Sequence, residues 1–317
     1  MTSTVDCAIG LDVGGTNIRA GVVRTDGVIL DSERIATPAR AQHRFDAMVE
    51  MVRDLSARDP VGSAVPVGVG AAGLVDLDGV VRYSPNLDWR DTPVRAQLAD
   101  ALGVPVRVEN DAAVAAWGEY RVGAAQHAVG GALMLTIGTG VGGGLVMDDH
   151  LVRGATGVGA EFGHIIVDEG GPRCPCGNQG CLEAVASGSA IGRLAREALA
   201  GWSASGSLLA QADEVTGTAV TDAAQRGDQL AVRVLADAGT WLGVGIASLV
   251  NALDPEIVII GGGALDAGAM LFDPAVDAYH ARVVAREYRE VPPVVGAELG
   301  DDAGLIGAAL LACDTER

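Results

Sequence analysis

Within this 317-residue chain, His164, Cys174, Cys176 and Cys181 bring three thiols and an imidazole into one short stretch. Cys174-Pro-Cys176-Gly and Gly180-Cys181 add the tight turns that let the sulfurs converge. A Cys3His set of this kind makes a closed, tetrahedral zinc site, structural because no position is left for water; three reduced cysteines in a loop are the plainer alternative. A second group, Glu109-Asn110-Asp111, stands where a strand runs into a helix. There Asp111 is an N-cap or first-turn residue whose ionised form the helix dipole favours, or it is only a cap. Glu161 and Glu183 flank the cysteine segment, so a bound metal would fix both together with His164. Asn, Asp, Glu and His with few apolar neighbours suit a polyhydroxylated ligand. A carboxylate grips adjacent hydroxyls, and a metal-held His164 has a second ring nitrogen to offer.

Glycine turns form the third group. Asp12-Val-Gly14-Gly15-Thr16-Asn17 ends an apolar stretch, so bare amides and a hydroxyl stand beside a carboxylate. Glycine lets backbone approach a phosphate closely, and Asp12 would hold Mg2+ through water; a plain hairpin turn is the alternative. Gly138-Thr139-Gly140-Val-Gly-Gly-Gly144 is a second turn, and Gly261-Gly262-Gly263 a third. Gly138, Gly140 and Gly143 also satisfy G-x-G-x-x-G, which raises a dinucleotide site and an oxidoreductase. That motif should open a helix, whereas Gly144-Leu-Val-Met leads into another strand and turn, against the dinucleotide reading.

The elements that carry these groups are legible in outline. Apolar runs from Val5 to Asp12 and Ile18 to Val23 read as strands, with Thr25-Asp26-Gly27 a hairpin turn and Val28 to Ala36 the next strand. Phe45, Met48, Val49, Met51, Val52 and Leu55 make a helical stripe. Ala64 to Ala72 and Pro105 to Val108 read as strands, Tyr83 to Trp89 as a polar loop, and Ala112 to Tyr120 as a helix. At Ala132 the opening pattern returns: an apolar strand, a polar residue (Thr136 where the first copy has Asp12), a glycine turn, then another strand. That predicts a duplicated β-β-β-α unit with one glycine turn per half. Further helices are expected around 189–200, 228–253 and 303–313, and a strand over Glu256 to Ile260. With no Pro/Ser linker between the halves, the expectation is an α/β chain of two lobes with an interlobe cleft. The small lobe would comprise 1–109 plus 300–317, and the large lobe 110–299 with the zinc segment 161–183.

Composition narrows the function classes. Lys+Arg is 22, every one an arginine, against 41 Asp+Glu, giving a formal charge of −19. Nucleic acid and anionic membrane need a basic footprint, so neither is expected as a partner. Without lysine there is no Walker P-loop, Schiff base or protein-kinase lysine. No run of ~18 uninterrupted apolar residues suggests a membrane span, and the start lacks the pattern of a signal peptide. Five cysteines, three of them clustered, suit a reducing cytoplasm.

Taken with Tyr83-Ser-Pro-Asn-Leu-Asp-Trp89, Cys174-Pro-Cys-Gly-Asn-Gln-Gly-Cys-Leu-Glu183 and Gly300-Asp-Asp-Ala-Gly-Leu-Ile-Gly307, these motifs resemble the ROK family of sugar kinases. The likeness runs along nearly the whole chain and looks closest to the family's bacterial glucokinases. It implies an actin-like ATPase (ribonuclease H-like) fold and transfer of the ATP γ-phosphoryl group to the 6-hydroxyl of a hexose, glucose first. Asp111 then matches the general base; Asn110, Glu161, His164 and Glu183 match sugar-binding residues, with Asn86 and Gly73 lining the same pocket. His164, Cys174, Cys176 and Cys181 match the zinc ligands. Gly14, Gly15, Thr16, Thr139 and Gly140 match phosphate loops, and Gly261 and Gly262 a nucleotide-side loop. A homodimer or homotetramer is implied by the resemblance alone. Other acceptors (N-acetylglucosamine, N-acetylmannosamine, fructose) and polyphosphate as donor stay open. The family's sugar-responsive repressors carry an N-terminal winged helix. Here a strand begins by residue 5, which points to the enzyme.

Overall fold

The computed structural model describes residues 7–58, 65–201 and 206–314; Val5 and Ala64, where two strands were expected to begin, lie outside them. The chain divides into two compact units. One takes the residues through Ala132, Gly144–Ala160 and those from Glu298 onward; the other takes Leu133–Gly143 and Glu161–Ala297.

The first unit opens with β1 (Cys7–Val13), β2 (Asn17–Arg24), β3 (Ile29–Ala36) and α1 (Ala41–Arg58). It continues through β4 (Val67–Ala71), β5 (Leu74–Val75), β6 (Val81–Ser84), β7 (Trp89–Thr92), α2 (Val94–Leu102), β8 (Val106–Asn110) and α3 (Asp111–Val122). Its main sheet has the order β3-β2-β1-β4-β8, with β1–β2 and β2–β3 antiparallel and β1–β4 and β4–β8 parallel. Burial follows the sequence pattern. β1 and β4 are apolar and sealed, whereas edge strand β3 alternates half-buried and exposed residues. The α1 stripe of Met48, Val49, Val52 and Leu55 is buried. The expected 83–89 loop is instead a turn between β6 and β7, because Val81, Leu87 and Trp89 are buried anchors on both sides of it.

The second unit begins within β9 (Ala132–Ile137), and β10 (Val141–Met147) returns the chain to the first unit, where it pairs with β11 (His150–Leu151). It holds α4 (Leu182–Ala186), α5 (Gly188–Gly201), α6 (Gly217–Gln225), α7 (Gln229–Leu253), β12 (Ile257–Gly261), α8 (Ala269–His280) and β13 (Val294–Gly296). The second sheet has the order β11-β10-β9-β12-β13, the same winding as the first, with β10–β11 antiparallel and β12–β13 parallel. Among the described residues α7 is the one helix long and apolar enough to cross a membrane; 61% of its most apolar stretch is buried, and α8 packs along it, as for a core helix.

α9 (Ala303–Cys313) belongs to the first unit, where it lies on β1 and β4 and packs against α3. That packing makes α3, expected in the large lobe, part of the first unit. Buried Glu119 strengthens the join: its carboxylate accepts from the N–H groups of Ala124 (2.8 Å), Glu298 (3.1 Å) and Leu299 (2.8 Å).

Candidate active site

In the first unit the strands that run parallel, β1, β4 and β8, end together, and the carboxyl edge of such a sheet is where open α/β folds bind ligands. Asp12 stands at the end of β1, directly across from Arg19 on β2, which faces Arg34 on β3. Arg19 in turn bonds the Asp301 carbonyl and the Asp302 carboxylate. The start of α9 is near as well, since a methyl added at Gly304 would lie 3.3 Å from the Asp12 carboxyl carbon. Arg19 and Arg34 hold the Asp12 proton affinity down. Burial, with repulsion from Asp111 and Asp301, outweighs them and pushes its pKa up to about 6.

Asp111 opens α3. Asn110 is the N-cap: its Oδ1 accepts from the Ala113 N–H (3.0 Å) and its Nδ2 donates to the Gly73 carbonyl (3.1 Å). Asp111 Oδ1 accepts from the Ala112 N–H at 2.9 Å. From the sequence, the helix terminus should favour the ionised carboxylate. Burial overrides it, and the Asp111 pKa is raised despite the Ala112 amide. Two mutually repelling carboxylates whose proton affinities are both raised can take a proton from a ligand or share a divalent cation.

The Gly14–Gly15 turn closes on itself. Gly14 N–H donates to the Asn17 carbonyl (3.0 Å), and Thr37 Oγ1 donates to the Gly14 carbonyl (2.6 Å). The Gly14 amide is therefore engaged within the hairpin, while Gly15 and Thr16 are exposed. Asn86, exposed in the β6–β7 turn, has its Cβ 3.1 Å from where a Cβ on Gly15 would stand. Asn86, Asn110 and Gly73 thus border the same sheet edge as Asp12.

In the second unit, one ligand atom from each of His164, Cys174, Cys176 and Cys181 lies within 4.8 Å of the others. Cys174 Sγ is 3.7 Å from His164 Nδ1, and Cys176 Sγ is 3.7 Å from Cys181 Sγ. Metal–sulfur bonds of ~2.3 Å in a tetrahedron require edges of about 3.7 Å, so two of the donor pairs already have the spacing of a zinc site and all four donors stand close to it. The loop is shaped by Gly177 N–H donating to the Cys174 carbonyl (3.0 Å) and Cys174 N–H to the Asn178 carbonyl (2.9 Å). At Gly180 (φ +73°) a Cβ would lie 1.5 Å from the Asp168 carbonyl oxygen, so only glycine fits there. With Nδ1 turned to the sulfurs, His164 Nε2 is left 4.0 Å from Glu161 Oε2.

Glu183 joins this cluster to the glycine turn. Its Oε2 accepts from the Val141 N–H at 3.0 Å, and its Oε1 is 3.7 Å from Cys174 Sγ. The start of α5 holds the other side of the turn, with Gly188 N–H donating to the Gly138 carbonyl (2.8 Å) and Ser189 N–H to the Thr139 carbonyl (3.3 Å). Gly262 (φ +84°) presses against the end of β9, where a Cβ would meet the Ile137 carbonyl oxygen at 2.6 Å.

Beside these loops is a cavity of about 750 Å³ lined by Gly138, Thr139, Ser189, Thr218, Gly263 and Asp266 among others. Thr139 faces it directly. Gly140 belongs to the Glu183 contact, and Gly261 and Gly262 support the loop whose next residue, Gly263, forms the wall. Sequence reading missed Ser189, Arg196, Thr218, Gln225 and Asp266, all of which line it. Gly188-Ser189 at a helix start was the available signal; α6 carries no motif. It also missed Glu119, whose signal was a lone acid inside the apolar Ala112–Tyr120 run.

The ROK family model matches residues 8–315. The chain is similar to a glucokinase of Streptomyces coelicolor, 40% identical over 96% of each chain. It is also similar to a glucokinase of Thermotoga maritima, 36% identical over 95% of each. Among solved structures it resembles a ROK family glucokinase from Streptomyces griseus in complex with glucose and AMPPNP. Identity there is 41%, the TM-score is 0.83, and the match covers 96% of this chain and 99% of that one.

Proposed function

The chain belongs to the ROK family, with its actin-like ATPase fold, and from that premise we propose that it is an ATP-dependent glucokinase making glucose 6-phosphate. The observation that carries the reaction class is Asp111: a carboxylate at the start of α3, its proton affinity raised by burial, beside a second carboxylate at the end of β1. Glucose as acceptor follows the relatives.

In this reading Asp111 receives the proton of the sugar 6-hydroxyl as the new O–P bond forms and the bond from the γ-phosphorus to the bridging oxygen of ATP breaks. A carboxylate of raised pKa is a stronger base, and such proton transfer is worth ~10²–10⁴-fold. Asn110 fixes the Asp111 backbone through its cap and holds Gly73 in register. Asp12, ionised above pH 6 or so, orients the metal-bound nucleotide, with Gly15 and Thr16 beside it. Mg2+ bound with ATP supplies neutralisation of charge on the phosphoryl group. Thr139 and Gly140 meet the phosphates and the 750 Å³ cavity takes the nucleoside. Glu161, His164 and Glu183 bind sugar hydroxyls. Zinc on His164, Cys174, Cys176 and Cys181 supplies rigidity to the 161–183 segment rather than chemistry. Five cysteines with no disulfide between them suit a cytoplasmic enzyme, and homodimer assembly is part of the proposal.

The test is ADP release with glucose, N-acetylglucosamine, N-acetylmannosamine and fructose, with and without Mg2+. Magnesium-dependent turnover with the highest kcat/KM for glucose is expected. No ADP release with any sugar would overturn the reading, and a higher kcat/KM for another hexose would reassign the acceptor.

A further inference from the structure

The first unit contains a cavity of about 410 Å³ to which neither Asp12 nor Asp111 contributes. That volume falls in the ~300–1,000 Å³ range of small-molecule sites. Its walls are unusual for a chain of charge −19, because Arg95 of α2, Arg107 of β8 and Arg153 all line it. The lining acids are already engaged, and the arginines have partners as well, Arg95 reaching Asp78 at 3.5 Å and Arg107 donating to the Leu311 carbonyl at 3.3 Å, so an anion would add to or displace these contacts. Glu109 pairs with Arg153 and accepts the Asn110 N–H (2.9 Å), Asp149 accepts from the Tyr120 hydroxyl (2.5 Å), and Asp314 lies 3.9 Å from Arg121. Burial, with repulsion from Arg153, lowers the Arg107 pKa from its usual value, and Asp314 and Glu109 offset this only in part. Trp117, 2% exposed, also lines the cavity, and its Nε1 has no hydrogen-bond partner among the described residues. A buried donor left unsatisfied is rare.

We propose that this cavity is a second ligand site, taking a small phosphate-bearing molecule. One guanidinium fork satisfies both oxygens of a carboxylate, so three arginines around one space match an anion with three terminal oxygens. The volume exceeds a bare phosphate and leaves room for a sugar-sized body. The site is also wired to the neighbouring residues of β8. Glu109, which an anion would rival for Arg153, holds the Asn110 amide, and Asn110 caps α3 beside Asp111.

The experiment is calorimetric titration of the full chain with inorganic phosphate and, separately, glucose 6-phosphate, in the presence of saturating glucose and a non-hydrolysable ATP analogue. The wild type is compared with Arg107→Gln and Arg95→Gln, two variants because the half-buried Arg107 contributes to packing. At least one probe should bind the wild type at millimolar concentration or below, and each substitution should weaken it by roughly tenfold. Phosphate binding as tightly as glucose 6-phosphate assigns the free anion, and tighter binding of the ester assigns a phosphorylated metabolite; both uphold the site. No binding of either probe up to about 10 mM, or binding unchanged in both variants, overturns it. Turnover of ATP with glucose, read in separate samples lacking the analogue, tests the kinase reading independently, since neither arginine belongs to the catalytic set.

Discussion

The two five-stranded sheets wind in the same order yet were given different chemistry. At the end of β1 stands Asp12, and α3, which follows the last strand of that sheet, begins with Asp111. At the end of β9 stands Thr136, followed by a turn that offers amides and the Thr139 hydroxyl and is held by Glu183 and the first amides of α5. One unit therefore concentrates negative charge and proton affinity, while the other supplies neutral donors and a thiol cluster. The winding is set by which positions are apolar; the chemistry is set by the few polar residues where strands stop. A duplicated framework can thus carry a pair of proton-accepting carboxylates in one copy and neutral donors in the other without altering its core.

The hardest test of that division is Asp111→Asn, which keeps the shape and removes the base. The kcat for glucose should fall ~10²–10⁴-fold while calorimetric glucose affinity stays within about tenfold. Retained turnover would move the base elsewhere and dissolve the contrast.

Next in size is the thiol cluster. Cys176→Ser, or chelation of the wild type, should cost a few kcal/mol, roughly 5–15 °C in Tm, and weaken glucose binding. Hydrogen exchange should rise over 161–183 and leave β1, β4 and β8 protected. Stoichiometric zinc in the wild type, measured by mass spectrometry, is expected. Undiminished stability and glucose affinity in metal-free protein would remove the cluster's role.

Asp12 allows the first unit to be probed by pH. Its carboxyl is raised from 3.8 to about 6 on folding, so the folded state holds this proton more tightly than the unfolded chain. Stability is therefore highest below pH 3.8 as far as this group is concerned, falls between pH 3.8 and about 6, and is fully reduced above that, by at most ~3 kcal/mol and less with solvent screening. Asp12→Asn should raise Tm at pH 7–8, with the gain shrinking as pH falls toward 4, while magnesium-dependent turnover is lost. A gain that did not vary with pH would mean the carboxylate is not strained at all.

Much of this was legible in advance, for identifiable reasons. Strands β1, β4 and β9 are apolar runs, broken in β1 and β9 only by Asp12 and Thr136 near their ends, with glycine following, and α9 matches the expected span because Ala303 to Cys313 is apolar on every side. Short spacing gave the metal cluster, since neighbours in sequence must be neighbours in space. What escaped depends on separations in sequence that no local pattern records. α3 joins the first unit through β4 and β8 and above all through α9, almost two hundred residues later, which packs on it. The Asp111 pKa could not be read from the helix start alone, because burial outweighs the terminus. The walls of the 750 Å³ cavity combine the Gly138 and Gly263 turns, whose glycines were visible, with α5 and α6, and α6 carries no motif that ties it to them.

The smallest effect separates the two units by how their loops are fastened. In the first, a single side chain does it: Asn110 caps α3 at Ala113 and ties down Gly73. In the second, Glu183 holds the Val141 end of the turn, but the Gly138–Thr139 carbonyls are fastened by main-chain amides of Gly188 and Ser189, which no side-chain truncation removes. Asn110→Ala should therefore cost about 1 kcal/mol, within the ~0.5–2 kcal/mol of a lost N-cap, whereas Ser189→Ala should cost a few tenths at most. Chemical denaturation of both variants measures the difference, and glucose affinity adds a second reading because Asn110 is one of the residues proposed to frame the sugar pocket. Equal losses would mean that the two turns are secured alike after all, and that their likeness extends past winding to the way each presents its ligand groups.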